Sequence, residues 1–350
     1  MEPNNKVLFL TKYSSKGASS RYRSYNYEHY LIKNEIQPHF KPLLGDSYIK
    51  NLYAKKVKIA KLLAIYYVLK RIVFLNFYMR KYSHIVIESE LFPHLPFGLD
   101  YYFLKKMKAF SLDFDDNIAA NYVGSRNQDK IQKLMVLAKF VTVGNHWYKK
   151  EFKGNFIYLP TVVDLDNYPI FNINSKQPSI VWIGSPSTQK YLLLLEDVFV
   201  KVNKIIPFTL KIIGGDVRFS SEEIKVEYIS WSAKIENKEL SEATLGIMPL
   251  NDSYWEKGKC GFKLIQYMAS GIPVVCSDLP ANKEIVQEGI NGFVVKSEKE
   301  WIDKLIFLLQ NNNTKEMGLS GRKRIESNYS YQIWGDKYAE IIKKYSEFKI

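Results

Sequence analysis

The sequence predicts an α/β protein built from two parallel-sheet domains of similar size. Three observations carry this. Short apolar runs alternate with helical stretches along the whole chain, the pattern of parallel strands joined by crossover helices. A seam rich in Asn, Asp and Pro, VVDLDNYPIFNINSKQP over Val162–Pro178, lacks any period and separates two such sets. Finally, 350 residues are long for one core and comfortable for two.

In the first set the strands are Lys6–Thr11 (KVLFLT), Ser83–Glu88 (SHIVIE), Ala109–Phe114 (AFSLDF), Phe140–Gly144 (FVTVG) and Asn155–Thr161 (NFIYLPT). In the second they are Ser179–Gly184 (SIVWIG), Thr209–Gly215 (TLKIIGG), Val226–Ser230 (VEYIS), Ala243–Leu250 (ATLGIMPL) and Pro273–Asp278 (PVVCSD). The closing stretch reads as a helix, with Ile333, Trp334, Tyr338, Ile341, Ile342 and Tyr345 at helical spacing. The expected division is residues 1–168, residues 169–328, and a last helix over 329–350. Open parallel sheets bind ligands beyond the carboxyl ends of their strands, so the space between two such domains is the expected site.

Composition narrows the class. Hydrophobic content of 46% and charged content of 25% exclude a disordered chain. Two cysteines, Cys260 and Cys276, do not make a disulfide framework and fit a reducing, cytosolic setting. The start, MEPNNKVLFLTKYSS, is too short and polar for a secretory leader. The net charge of +14 lies wholly in residues 1–150, which hold 25 Lys+Arg against 11 Asp+Glu; the remainder holds 25 of each. A basic half points to an anionic partner. No helix-turn-helix, zinc or RNA-binding signature accompanies it, so nucleic acid is not the expected partner, although a basic nucleic-acid- or membrane-binding scaffold remains the reading from another class.

The stretch GKCGFKLIQYMASGIPVVCSD, Gly258–Asp278, carries the chemistry best. Phe262, Ile265 and Ala269 share a helical face, with Lys263, Gln266 and Ser270 beside it. The free amides of a helix's first turn carry partial positive charge. With Gly258 and Gly261 admitting close approach, Lys259 and Lys263 would complete a phosphate seat. A surface helix with solvated lysines fits the same residues. The loop Gly184, Ser185, Pro186, Ser187 after a strand, with Lys190 beyond, offers a capped helix and a second set of amides. In the first half, Gly17 and Ser19 form a tight loop followed by Arg21 and Arg23; it is neither G-x-G-x-x-G nor a Walker loop. DFDD, Asp113–Asp116, could hold a divalent cation, but a cap or loop role is preferred and no metal is expected. His94 lies just past a strand end and could face the cleft, where a structural role competes with a functional one.

Residues 49–82 hold nine Lys/Arg and no acid: Lys50, Lys55, Lys56, Lys58, Lys61, Lys70, Arg71, Arg80 and Lys81. Lys70 and Arg71 interrupt the apolar run at its middle, which argues against a membrane-spanning helix. A basic amphipathic helix on an anionic membrane surface fits, as does a core helix with a solvated basic face.

Gly261–Val295, GFKLIQYMASGIPVVCSDLPANKEIVQEGINGFVV, resembles the donor-site signature of family-four glycosyltransferases of GT-B fold. Tyr267–Val275, Glu284-Ile285-Val286 and Asn291–Val294 match that pattern in order. The resemblance implies two Rossmann-like domains facing across a cleft, with the C-terminal helix crossing back to the first. It implies transfer of a sugar from a nucleotide-sugar donor to a hydroxyl, with retention and without a metal or other cofactor. The two glutamates of the pattern fall on Gly258 and Gln266; Gln266 can still bond a ribose hydroxyl. The donor is then expected at Gly184, Ser185, Pro186, Ser187, Lys190, Gly261, Phe262, Gln266 and Glu284, with Lys263 and Lys259 on the diphosphate and His94 near the acceptor. Gly17, Ser19, Arg21 and Arg23 would form an acceptor and phosphate loop. A saccharide or lipid-linked acceptor in bacterial surface polysaccharide synthesis is the expected context. A nucleotide-sugar epimerase, or an inactive relative lacking the acid at 258, is the alternative.

Overall fold

The computed structural model describes residues 5–54, 56–170, 177–310 and 314–346. The expected linker residues 171–176, and Lys55 of the basic stretch, lie outside these. The chain divides into two compact units: Met1–Thr161 with Trp334–Ile350, and Val162–Ile333.

The first unit is a six-stranded parallel sheet of order β2-β1-β3-β4-β5-β6. Its strands are β1 (Lys6–Leu10), β2 (Gln37–Phe40), β3 (His84–Glu88), β4 (Phe110–Phe114), β5 (Val141–Val143) and β6 (Phe156–Tyr158). Strands β1, β3, β4 and β5 are almost wholly buried, which is why they read as continuous apolar runs. Strand β2 was not anticipated. QPHF alternates exposed and half-buried positions at the sheet edge and contains Pro38, so it lacks a buried strand's signature.

The second unit repeats the architecture with order β12-β11-β10-β7-β8-β9. Its strands are β7 (Ser179–Ile183), β8 (Thr209–Ile213), β9 (Val226–Ile229), β10 (Leu245–Met248), β11 (Val274–Ser277) and β12 (Gly292–Val295). β12 is a second strand missing from the expectation: four residues at an edge, opening on a glycine. Its core joins Trp182, Phe199, Leu210, Leu245, Val275 and Leu305.

The units divide at 161/162 and 333/334 rather than 168/169 and 328/329. The reason is local: Val163 and Ser330 form a parallel bridge, and Tyr331 N donates to Val163 O, which ties both segments to the second unit. The helix Tyr331–Tyr345 ends the described chain, and from Trp334 onward it belongs to the first unit, where Trp334 meets Tyr158 and Tyr345 meets Phe140.

Helix Val57–Tyr78 corrects the argument that Lys70 and Arg71 together break the apolar run. The two residues part company. Arg71 turns inward, is 5% exposed, and donates from Nη2 to Thr11 O and Lys41 O, while Lys70 stays outside. By length and composition alone, the segment Val57–Lys81 is long and apolar enough to cross a membrane.

Candidate functional site

In the second unit, one tyrosine sets the frame. Tyr267 is fully buried; its hydroxyl donates to Ile247 O on β10 and accepts from Ile183 N at the end of β7. Gly246 leaves room for the Tyr267 ring, since a Cβ there would run into it. The helix Phe262–Ala269 is thus lashed across β7 and β10. Its carboxyl end leads into β11 through Gly271, so its amino end lies toward the carboxyl ends of the strands.

That amino end opens on Gly261, whose φ of +68° only glycine adopts cheaply and whose Cα faces the Ile285 side chain. Half-buried Lys263 follows, its Nζ 5.6 Å from the Trp182 ring centroid on β7. Gly184, at the end of the same strand, packs on that ring: an added Cβ would stand 2.5 Å from it. Lys263 and the 184–188 loop therefore share one tryptophan. Lys259 Nζ lies 5.8 Å from the Trp255 ring centroid, beside the short helix Tyr254–Lys257.

The 184–188 loop differs from its expected form. Ser185 Oγ and Ser187 Oγ are 2.8 Å apart, and Thr188 Oγ1 donates to Ser185 O. No side chain caps the segment that follows, which is a 3₁₀ helix over Gln189–Leu195 before the α-helix Glu196–Ile205. The hydroxyls bond within the loop rather than to helix amides. Pro186 and Lys190 are exposed, and Lys190 Nζ lies 5.3 Å from the Tyr191 ring. Glu284 is half-buried near the end of helix Pro280–Ile285, and its carbonyl accepts from Arg324.

Two carboxylates escaped sequence reasoning. Gln266 is 6% exposed, and its Nε2 donates to Glu236 Oε1 at 2.7 Å. Glu236 also accepts from Tyr168 Oη at 2.5 Å and Trp231 Nε1 at 2.6 Å. Glu256, two residues before Gly258 and equally buried, accepts from Tyr191 Oη and Ser253 Oγ. Neither glutamate lies in the matched pattern; each is brought in by a helix distant from, or preceding, the motif.

A cavity of about 600 Å³ in the same unit is lined by Leu250, Ser277, Asp278, Leu279 and Trp301 among others, and none of the expected site residues lines it.

In the first unit the expected phosphate loop is bound up internally. Arg23 corrects the expectation most sharply: 1% exposed, it clasps Asp113 through Nε (3.0 Å) and Nη2, and donates from Nη1 to Leu159 O at 2.5 Å. Asp113 also accepts from Thr142 Oγ1, so the first acid of DFDD is a buried partner on β4 rather than a loop or cap residue. Ser19 Oγ and Ser20 Oγ both donate to Glu88, which also accepts from Lys12 N. Gly17 packs on the Tyr13 side chain, and half-buried Arg21 lies over Tyr22. His94 is exposed at φ +64°; its amide donates to Tyr122 Oη, which in turn donates to Glu90.

Comparisons with known proteins bear on family likeness and fold. Residues 177–311 match the family described as "Glycosyl transferases group 1". Chitobiosyldiphosphodolichol beta-mannosyltransferase of Kluyveromyces lactis is 24% identical over 202 residues, 55% of this chain and 44% of that protein. The chain spans less than half the length of the curated relatives it matches. Among solved structures, Anabaena HepE in complex with UDP and glucose superposes with a TM-score of 0.70 at 13% identity, covering 97% of this chain and 99% of that one. Sucrose-phosphate synthase from Thermosynechococcus elongatus gives 0.69 at 12% identity, covering 97% and 98%. The fold is that of the GT-B glycosyltransferases.

Proposed function

Since residues 177–311 match the model of the group 1 glycosyl transferases, we propose that the chain transfers a sugar from a nucleoside-diphosphate sugar to a hydroxyl acceptor. The observation that carries this reading is the amino end of helix Phe262–Ala269: a left-handed Gly261, Lys263 sharing Trp182 with the 184–188 loop, and Lys259 beside it. The partial positive charge of a helix's first turn, together with ammonium groups, suits a pyrophosphate.

In the reaction the bond between the anomeric carbon and a phosphate oxygen breaks. A new bond forms to the acceptor oxygen, whose proton leaves with the diphosphate. The developing charge falls on the leaving group, so fixed dipoles and Lys263, then Lys259, would lower the barrier. Gln266 gives one N–H to Glu236. Its amide keeps a second N–H donor and a carbonyl acceptor for a ribose hydroxyl. Retention, and independence of metal, belong to this reading through the family likeness. Cys260 and Cys276, which form no disulfide, fit a reducing compartment. A saccharide acceptor carried on an anionic lipid surface fits the basic first half.

The test is a panel of nucleotide sugars scored by thermal shift and by nucleoside-diphosphate release with a saccharide acceptor. A donor that raises the melting temperature and is consumed only when acceptor is present supports transfer. Consumption without acceptor, giving an isomerised sugar nucleotide, would indicate an epimerase; stabilisation without turnover would indicate a donor-binding protein.

A further inference from the structure

Helix Val57–Tyr78 has two unlike faces. Ala60, Arg71 and Leu75 are buried in the first unit. Arg71 holds Thr11 O and Lys41 O, Tyr67 Oη meets Ser47 Oγ at 2.8 Å, and Lys41 Nζ lies over the Phe74 ring. These contacts fix one side of the helix along its length.

The opposite side is apolar and exposed. Leu62 (68%), Ile65, Tyr66, Leu69 (57%), Val73 (57%) and Phe77 (74%) fall on one stripe at helical spacing. Exposed cations frame it: Lys58 and Lys61 at one end, Lys70 at its border, Arg80 and Lys81 at the other. No acid occurs anywhere from residue 49 to 82. A contiguous apolar stripe is an interaction surface rather than scattered surface hydrophobics.

We propose that this stripe lies in the plane of an anionic lipid bilayer, with Leu62, Ile65, Leu69, Val73 and Phe77 in the acyl boundary and the flanking cations among the headgroups. Charge complementarity commits the partner. A purely apolar protein interface does not call for cations at both ends and no acids, whereas a negatively charged leaflet does. The buried face decides the orientation. A helix of 22 residues reaches about 33 Å, enough to span. Spanning would expose the Arg71 guanidinium to hydrocarbon and strip its two carbonyl partners. The helix is therefore a lateral anchor.

This deepens the reading of a lipid-carried acceptor and rests on it only for its purpose. Attachment is measured without any sugar nucleotide, so the two ideas fail separately. The experiment is flotation of the full chain with phosphatidylcholine vesicles, with and without phosphatidylglycerol. Binding should require the anionic lipid and weaken with salt. Leu69→Glu with Val73→Glu should lower the vesicle-bound fraction about tenfold or more, with an unchanged melting temperature, because both side chains are exposed. Lys58→Gln with Arg80→Gln should weaken binding about fivefold per charge at low salt. A carbonate wash should release the bound protein.

Failure of the parent chain to float with anionic vesicles would overturn the proposal, as would undiminished flotation of the Leu69→Glu/Val73→Glu variant. A dimer that this variant converts to monomer, with no change in flotation, would make the stripe a protein interface instead. Retention through the carbonate wash would overturn the lateral geometry.

Discussion

Gln266 Nε2 stands 2.7 Å from Glu236 Oε1, an amide-to-carboxylate bond closed off from solvent in the second unit. The pairing explains why an amide is stable where the family pattern has an acid. Gln266→Glu would set two carboxylates against each other, one of which must then hold a proton. We expect a loss on the order of 2 kcal/mol at pH 8, recovering as the pH falls and the shared proton is retained. The double exchange Gln266→Glu with Glu236→Gln should restore most of it. Denaturant midpoints of the four proteins at pH 5 and pH 8 measure this; additive losses in the double variant would disprove the coupling.

Lys263→Ala should lower donor turnover at least about tenfold, the scale of losing one charge-stabilising donor, while leaving the melting temperature nearly unchanged, since the side chain is only half-buried. Steady-state release of nucleoside diphosphate decides it. Turnover within about twofold of the parent removes Lys263 from the diphosphate site.

Gly261→Ala should cost about 1–2 kcal/mol from its left-handed backbone alone, with more from the Ile285 side chain that the new methyl group meets. Chemical denaturation of the full chain reads the loss. An unstrained, fully stable variant would show that the loop has another conformation available.

Arg23→Ala should destabilise the protein by about 3–5 kcal/mol, because it leaves Asp113 buried and unpaired. Arg21→Ala, at a half-buried position, should cost far less. If the two variants melt alike, the buried pair does not hold the first unit together.

His84 should contribute to acid sensitivity. Burial, and then the Lys139 charge, push its imidazole down to about 3, and it bonds Ser111 Oγ at 2.9 Å. Below its ordinary value near 6.5 the unfolded chain takes up a proton that the folded chain refuses. Stability from this site is complete above that pH and falls as the pH drops toward 3, by about 1.4 kcal/mol per pH unit. His84→Gln should flatten that slope between pH 6 and pH 4 in urea titrations; an unchanged slope would assign the acid limb to other groups.

The legible parts of this molecule share a physical basis. Central parallel strands are buried on both faces, so β1, β3, β4, β7 and β11 announce themselves as apolar runs. Strands β2 and β12 do not: β2 holds Pro38 among exposed and half-buried positions, and β12 opens on Gly292, so neither begins as a run of strand formers. The motif from Gly261 to Val295 is local, spanning one helix and its neighbours, so its helix, strand and glycine turn could be read in order.

Partnership across long separations was not legible. Nothing in the chain's order says that Arg23 would be spent on Asp113, 90 positions away, or that Gln266 would be held by Glu236. The same holds for Arg71, whose inward turn to Thr11 and Lys41 changes an interrupted helix into one with a continuous apolar stripe. Sequence alone determined the two-sheet architecture, the donor-type motif and the placement of charge, because periodicity and local spacing encode them. Which charged groups are neutralised inside and which remain to meet a ligand was decided only by folding, because desolvation forces a buried charge to find its partner wherever the chain brings one.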